Sequence, residues 1–220
     1  DVRPTAGSIC RKSVVAVRQD DTFLMAYRLM VDHGVRAVPV LNNGGEVKGL
    51  LHFLDLLKLL LPPATDGRNV KLLHASLENI GSTLGASDDF GACPPSEEED
   101  LIMMVGASSQ NTVGLRLKAS QEEGNVGQYL VICGDRPFVH QQAIEFGARA
   151  LLVTGGYKPA PEIAALAKEK GIFVLCSPHD TATTVKLALC ARKVRNIIND
   201  DFMALASNQV VSRFSRKVAA

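Results

Sequence analysis

The chain has 220 residues, of which 46% are hydrophobic and 21% charged, and its 24 Lys+Arg nearly cancel 23 Asp+Glu to leave a net charge of +1. That balance excludes a basic face built for nucleic acid and a polyanionic disordered tail. Aromatic residues make up 5% and Trp is absent, which argues against a stacking platform for a strand of bases. The longest apolar run, around Leu56 to Leu61, is broken by Lys58 and ended by Pro62-Pro63. It falls well short of the roughly 20 residues that cross a bilayer, so no membrane partner is expected.

The length exceeds one domain of roughly 150 residues and falls short of two. The five cysteines (Cys10, Cys93, Cys133, Cys176 and Cys190) are odd in number, widely spaced and without a C-x-x-C pair. This argues against a disulfide framework or a zinc knuckle and for a reducing, cytoplasmic compartment. Cys133 and Cys176 lie in apolar runs, where a thiol packs as a small hydrophobe. The first residue is Asp1, with neither Met nor a signal peptide, which predicts a piece of a longer protein.

In chain order, Val14 to Val17 is a β-branched run and predicts a strand. Asp20-Asp21-Thr22 offers a helix N-cap, and Leu24, Met25, Leu29 and Met30 follow at helical spacing. Gly34 suits the left-handed position that stops such a helix. Val38-Pro39-Val40-Leu41 predicts a strand whose Pro suggests an edge or a bulge. Asn42-Asn43-Gly44-Gly45 is a hairpin turn signal, with Val47 to Leu51 as the partner strand. Phe53 to Leu61 predicts a leucine-rich helix ended by the two prolines. Residues 62–100 are weakly patterned, with a short helix at Ser76 to Leu84 and a linker-like, acid-rich stretch at Ala86 to Asp100.

From residue 101 onward apolar strands alternate with amphipathic helices. Leu101 to Val105, Tyr129 to Cys133, Ala150 to Val153 and Phe173 to Cys176 predict buried strands. Helices are expected at Thr112 to Ala119, Pro137 to Phe146, Pro161 to Lys170 and Thr181 to Cys190. That alternation predicts a parallel α/β sheet, in which ligands bind at the carboxyl ends of strands. The last thirty residues depart from it. A short strand at Asp201 to Leu205 and a helix at Val210 to Val218 repeat the opening strand–helix of the chain and then stop.

The order strand, DDT helix start, HGVRAVPV and NGGEVKGLLHFLDLL resembles a CBS domain. GDRPF, LLVTGG and SPHDTATT are similar to a DRTGG domain. Together they resemble the regulatory insert of CBS-containing family II (manganese-dependent) inorganic pyrophosphatases. The fold class implied is α/β plus α+β: a CBS domain (β-α-β-β-α) over residues 1–62, a linker with a short helix over 63–100, a DRTGG-type parallel α/β sandwich over 101–191, and the start of an incomplete second CBS domain over 192–220.

The resemblance implies a regulatory module that binds AMP, ADP, ATP or a diadenosine polyphosphate and controls an attached pyrophosphatase, as a homodimer. It implies no catalysis by this chain and no cofactor in it, with manganese or magnesium confined to absent catalytic domains. Asp55, six residues after Gly49, matches the family's ribose-binding acid. The alternative reading is an acid at a helix N-terminus, stabilised by the dipole. His52 stands where the family usually has Ser, Thr or a basic residue, and would contact phosphate or cap the helix. Arg36 would pair with phosphate or be a surface charge. The adenine slot would use Ser13, Val14, Val15, Val35, Ala37, Val38 and Pro39 from one side, and Asp201, Phe202 and Met203 from the partial second domain. Val38 also reads as core.

Gly134-Asp135-Arg136 and Gly155-Gly156 follow strands, where free backbone N–H groups can cradle an anion. No G-x-x-x-x-G-K-[ST] or strand-linked G-x-G-x-x-G is present, and these glycines are more simply read as tight βα turns. The five His (33, 52, 74, 140, 179) are scattered, which predicts no metal site. Ser177, His179 and Asp180 lie too close in sequence to assume a catalytic triad. A purely structural dimerisation scaffold remains the alternative to nucleotide sensing.

Overall fold

The computed structural model describes residues 13–60, 71–87 and 94–197. They form two compact units: residues 13–21, 25–56 and 194–197 in the first, and the remaining described residues in the second. The strand expected at Asp201 to Leu205, the helix expected at Val210 to Val218, and Cys10 and Cys93 lie outside the described residues.

The first unit holds a three-stranded sheet ordered β1-β2-β3. Strand β1 is only Val17–Arg18, paired in parallel with Val40 and Leu41 of β2 (Ala37–Leu41). The apolar run at Val14 is not a strand, because β1 meets its partner only at the far end of β2; Val14 is left exposed. Strand β2 also pairs antiparallel with β3 (Val47–His52), with a register irregularity between Val40 and Leu41. Pro39 therefore sits in a middle strand, not an edge strand. This is tolerated because the two-residue β1 does not reach it, so the missing N–H disrupts no ladder on that side.

The hairpin turn forms as its sequence predicts. The Asn42 side-chain oxygen accepts from the N–H groups of Gly44 at 3.0 Å and Glu46 at 2.8 Å, and Gly45 adopts φ of +80°. Helix α1 spans Phe23–Asp32. Its buried positions are Phe23, Ala26 and Met30, with Met25 exposed, so the inward face is rotated from the Leu24–Met25 stripe that hydropathy suggests. Asp21 accepts from the N–H of Arg18 at 2.8 Å. The helix ends at Gly34, whose φ of +61° lets its N–H reach Val31 O and the Val35 N–H reach Met30 O. Helix α2 spans Phe53–Leu60.

The second unit holds a five-stranded sheet ordered β4-β5-β6-β7-β8. These are Lys71–Ala75, Glu99–Val105, Tyr129–Cys133, Ala150–Val153 and Phe173–Cys176. Strand β4 is antiparallel to β5 and the other pairings are parallel. Three of the four parallel strands, β6 to β8, begin and end where the apolar runs place them. Strand β4 lies in the weakly patterned region and has no clear signal. Leu72 faces out and Ala75 faces in, so the hydropathy alternation is blurred although the burial alternates.

Helices α3 (Leu77–Leu84) and α7 (Thr181–Leu189) cover one face of this sheet. Their core includes Leu77, Ile80 and Leu84 against Leu73, Leu101, Leu130, Ile132 and Leu152. Helices α4 (Gln110–Glu122), α5 (Pro137–Glu145) and α6 (Pro161–Glu169) cover the other. Successive parallel strands joined by right-handed crossovers place their helices on one side, which accounts for α4, α5 and α6 lying together. Ser76 caps α3 by accepting from the N–H of Asn79, and Gly85 closes it at φ of +58°.

Candidate functional site

The first unit contains a groove of about 660 Å³ lined by Met30, Val31, Gly34, Val35, Arg36, His52, Phe53 and Leu54. Three short pieces of chain build it. The end of α1 supplies Met30 and Val31, the turn into β2 supplies Gly34 to Arg36, and the β3–α2 junction supplies His52 to Leu54. The junctions are joined directly: the N–H of Phe53 donates to Arg36 O at 2.9 Å. An apolar wall carrying one aromatic ring thus meets two basic side chains, Arg36 and His52, both exposed. A small pocket of this kind suits a flat apolar group attached to an anion. The guanidinium fork is well shaped for phosphate.

Of the residues singled out from sequence, Val35, Arg36 and His52 line the groove. Asp55 does not line it. It sits half-buried in the first turn of α2, and its carboxylate accepts from the N–H of His52 at 3.0 Å. This is the reciprocal arm of a capping box, with the acid three residues into the helix. Ser13 and Val14 are exposed and Val15 half-buried; Ala37 and Pro39 are half-buried on β2, and Val38 is wholly buried. Asp201, Phe202 and Met203 lie outside the described residues. Met30, Val31, Gly34, Phe53 and Leu54 line the groove and were not anticipated. Phe53, adjacent to His52 at a strand–helix junction, is the residue whose type carries a usable signal.

At Gly155-Gly156 the turn donors are internally satisfied. The N–H of Gly155 donates to His179 O at 2.7 Å and that of Gly156 to Ser177 O at 2.9 Å, with both glycines at positive φ. Arg136 donates from its guanidinium to Gly106 O and from its backbone N–H to Gly134 O. These donors tie βα turns together and do not stand open to an anion. The Thr183 hydroxyl donates to the Asp180 carboxylate at 2.6 Å and holds it below the usual range, and the N–H groups of Thr183 and Ala182, from which Asp180 accepts in capping α7, add to the effect.

Buried Ser177 and Thr184 share a hydroxyl bond of 2.9 Å. His140 is buried, and its Nε2–H donates to Gly134 O at 2.8 Å; burial pushes its pKa below the ordinary value. Burial also pushes the Cys133 thiol up to about 12 and that of Cys190 to about 11, so neither is a ready nucleophile near neutrality. Among the described residues no three His, Cys, Asp or Glu are grouped to hold a metal ion. Among them, too, no helix is long and apolar enough to cross a membrane.

The fold and its motifs define the class of protein. Residues 6–62 match the CBS domain family and residues 95–190 match the DRTGG domain family, so the chain carries one of each. Over 191 residues it is 28% identical to the cobalt-dependent inorganic pyrophosphatase of Clostridium perfringens (strain 13 / Type A). That match covers 85% of this chain and 32% of the relative, so the chain spans about a third of that protein's length. A crystal structure of the CBS and DRTGG domains of the regulatory region of Clostridium perfringens pyrophosphatase, complexed with the activator diadenosine tetraphosphate, shares the fold. The TM-score is 0.66 at 21% identity, covering 94% of this chain and 91% of that one.

Proposed function

We propose that the CBS domain binds an adenine nucleotide (AMP, ADP, ATP or a diadenosine polyphosphate) and that binding regulates an attached inorganic pyrophosphatase. The observation that carries this reading is the groove at the β3–α2 junction, where Arg36 and His52 stand beside an apolar wall. The activator named for the clostridial structure is chemically of the class such a groove suits. In this reading Arg36 and His52 take phosphate, and the Val35 segment lies against the base. Asp55 accepts ribose hydroxyls while holding the helix start that presents His52. The chain performs no hydrolysis itself, works in the cytoplasm as a homodimer, and leaves metal chemistry to catalytic domains elsewhere in the parent.

Signal transmission requires the nucleotide to bind two conformations of the parent with different affinity. Calorimetry of the chain with AMP and with diadenosine tetraphosphate tests the binding step. Saturable heat is expected, and Arg36→Ala should cost roughly 1.5–3 kcal/mol of affinity, the worth of a hydrogen bond to a charged group. No heat with either ligand at millimolar concentration would overturn the reading and leave a dimerisation scaffold.

A further inference from the structure

We propose that the groove holds a nucleotide base by its face, stacked on Phe53, and does not read the base's edge; this rests on the nucleotide reading above. Edge reading needs free donors and acceptors around the base, and backbone N–H groups are the usual donors. Four that border this groove are already used. Gly34 N–H donates to Val31 O, Val35 N–H to Met30 O, Phe53 N–H to Arg36 O and His52 N–H to the Asp55 carboxylate. The same bonds that stop α1 and start α2 therefore take up four of the backbone donors that a base edge would use.

What the groove does offer is surface. Phe53 lines it half-buried, and the ring of exposed Tyr27 lies 6.0 Å from the Phe53 ring, tilted by 32°. An aromatic neighbour at that distance restricts the Phe53 ring and makes Tyr27 a positioning residue. Met30, Val31 and Leu54 extend the apolar wall, with Arg36 and His52 placed for the phosphate. Stacking on a single ring favours purines over smaller rings, and it tolerates adenine and guanine alike because both present a π-face.

The test is calorimetric titration of the full chain and two variants. Phe53→Leu should lower AMP affinity about tenfold or more, whereas Phe53→Tyr, which keeps the ring, should stay within about threefold. Ribose 5-phosphate, which has no base, should bind all three proteins equally. GMP should bind the unsubstituted chain within about tenfold of AMP, since each 1.4 kcal/mol of edge discrimination would add a further factor of ten. AMP binding that survives Phe53→Leu, or a larger preference for AMP over GMP, overturns the stacking proposal while leaving the nucleotide reading standing. Absence of AMP binding by the unsubstituted chain overturns both. If Phe53→Leu fails to fold, the comparison of AMP, GMP and ribose 5-phosphate on the unsubstituted chain still decides between face and edge.

Discussion

Strand β7 of the DRTGG domain is buried at every position, while β2 of the CBS domain alternates between buried and half-buried residues. The first lies in a sheet with helices on both faces. The second belongs to a sheet of three strands, one of them two residues long, in the unit that carries the groove. The difference extends to polar groups. In the DRTGG domain the turn donors at Gly155 and Gly156 are bound by neighbouring carbonyls, and buried hydroxyls pair with each other. In the CBS domain the backbone donors of Gly34, Val35, His52 and Phe53 are likewise used, but Arg36, His52 and an apolar wall are left facing solvent. A unit covered on both faces of its sheet serves as a frame, and a unit that leaves charge beside apolar surface has something to bind.

The sharpest way to break that contrast is to cut into the frame. Leu152→Ala removes a fully buried side chain from β7 and should cost about 2–5 kcal/mol in urea unfolding. A loss under about 1 kcal/mol would mean the two-faced core is looser than its burial implies. Thr184→Val, which takes the hydroxyl partner from buried Ser177, should cost about 1–3 kcal/mol by the same measurement.

A smaller effect concerns pH. Folding lowers the pKa of His140 by burying it, while the bond to Gly134 O and the nearby charge of Asp135 work the other way. The unfolded chain, titrating near 6.5, therefore binds a proton that the folded state resists. The contribution of neutral His140 is intact above about pH 6.5 and is lost as pH falls below it. The melting temperature of the unsubstituted chain should drop between pH 7 and pH 5.5 more steeply than that of His140→Gln; parallel profiles would reject the assignment. The smallest stability effect belongs to the groove. Leu54 is 68% exposed, so Leu54→Ala should change stability by no more than about 0.5 kcal/mol. A larger loss would show that the groove is part of the frame after all.

Much of this was legible in the chain itself. Strands such as Tyr129–Cys133 and Ala150–Val153 announce themselves as short β-branched and leucine runs, because a strand covered on both faces must be apolar throughout. The Asn42–Gly45 turn and the stop at Gly34 were equally plain, since their backbone geometry selects Asn and Gly. Lys71–Ala75 was not legible, because an edge strand can put a leucine outward and an alanine inward without penalty.

For the site, sequence determined the candidates Val35, Arg36 and His52 and the family to which their motifs belong. Tertiary structure decided that Phe53, Met30 and Val31 join them, and that Asp55 turns back to cap the strand–helix junction. The physical reason is that residue type sets what a side chain can do locally, through its dihedrals, charge and hydropathy. Which side chains share a groove depends instead on how the end of one helix, a turn and the start of another helix are brought together, and that is decided by packing and by the hydrogen bond between Phe53 and Arg36.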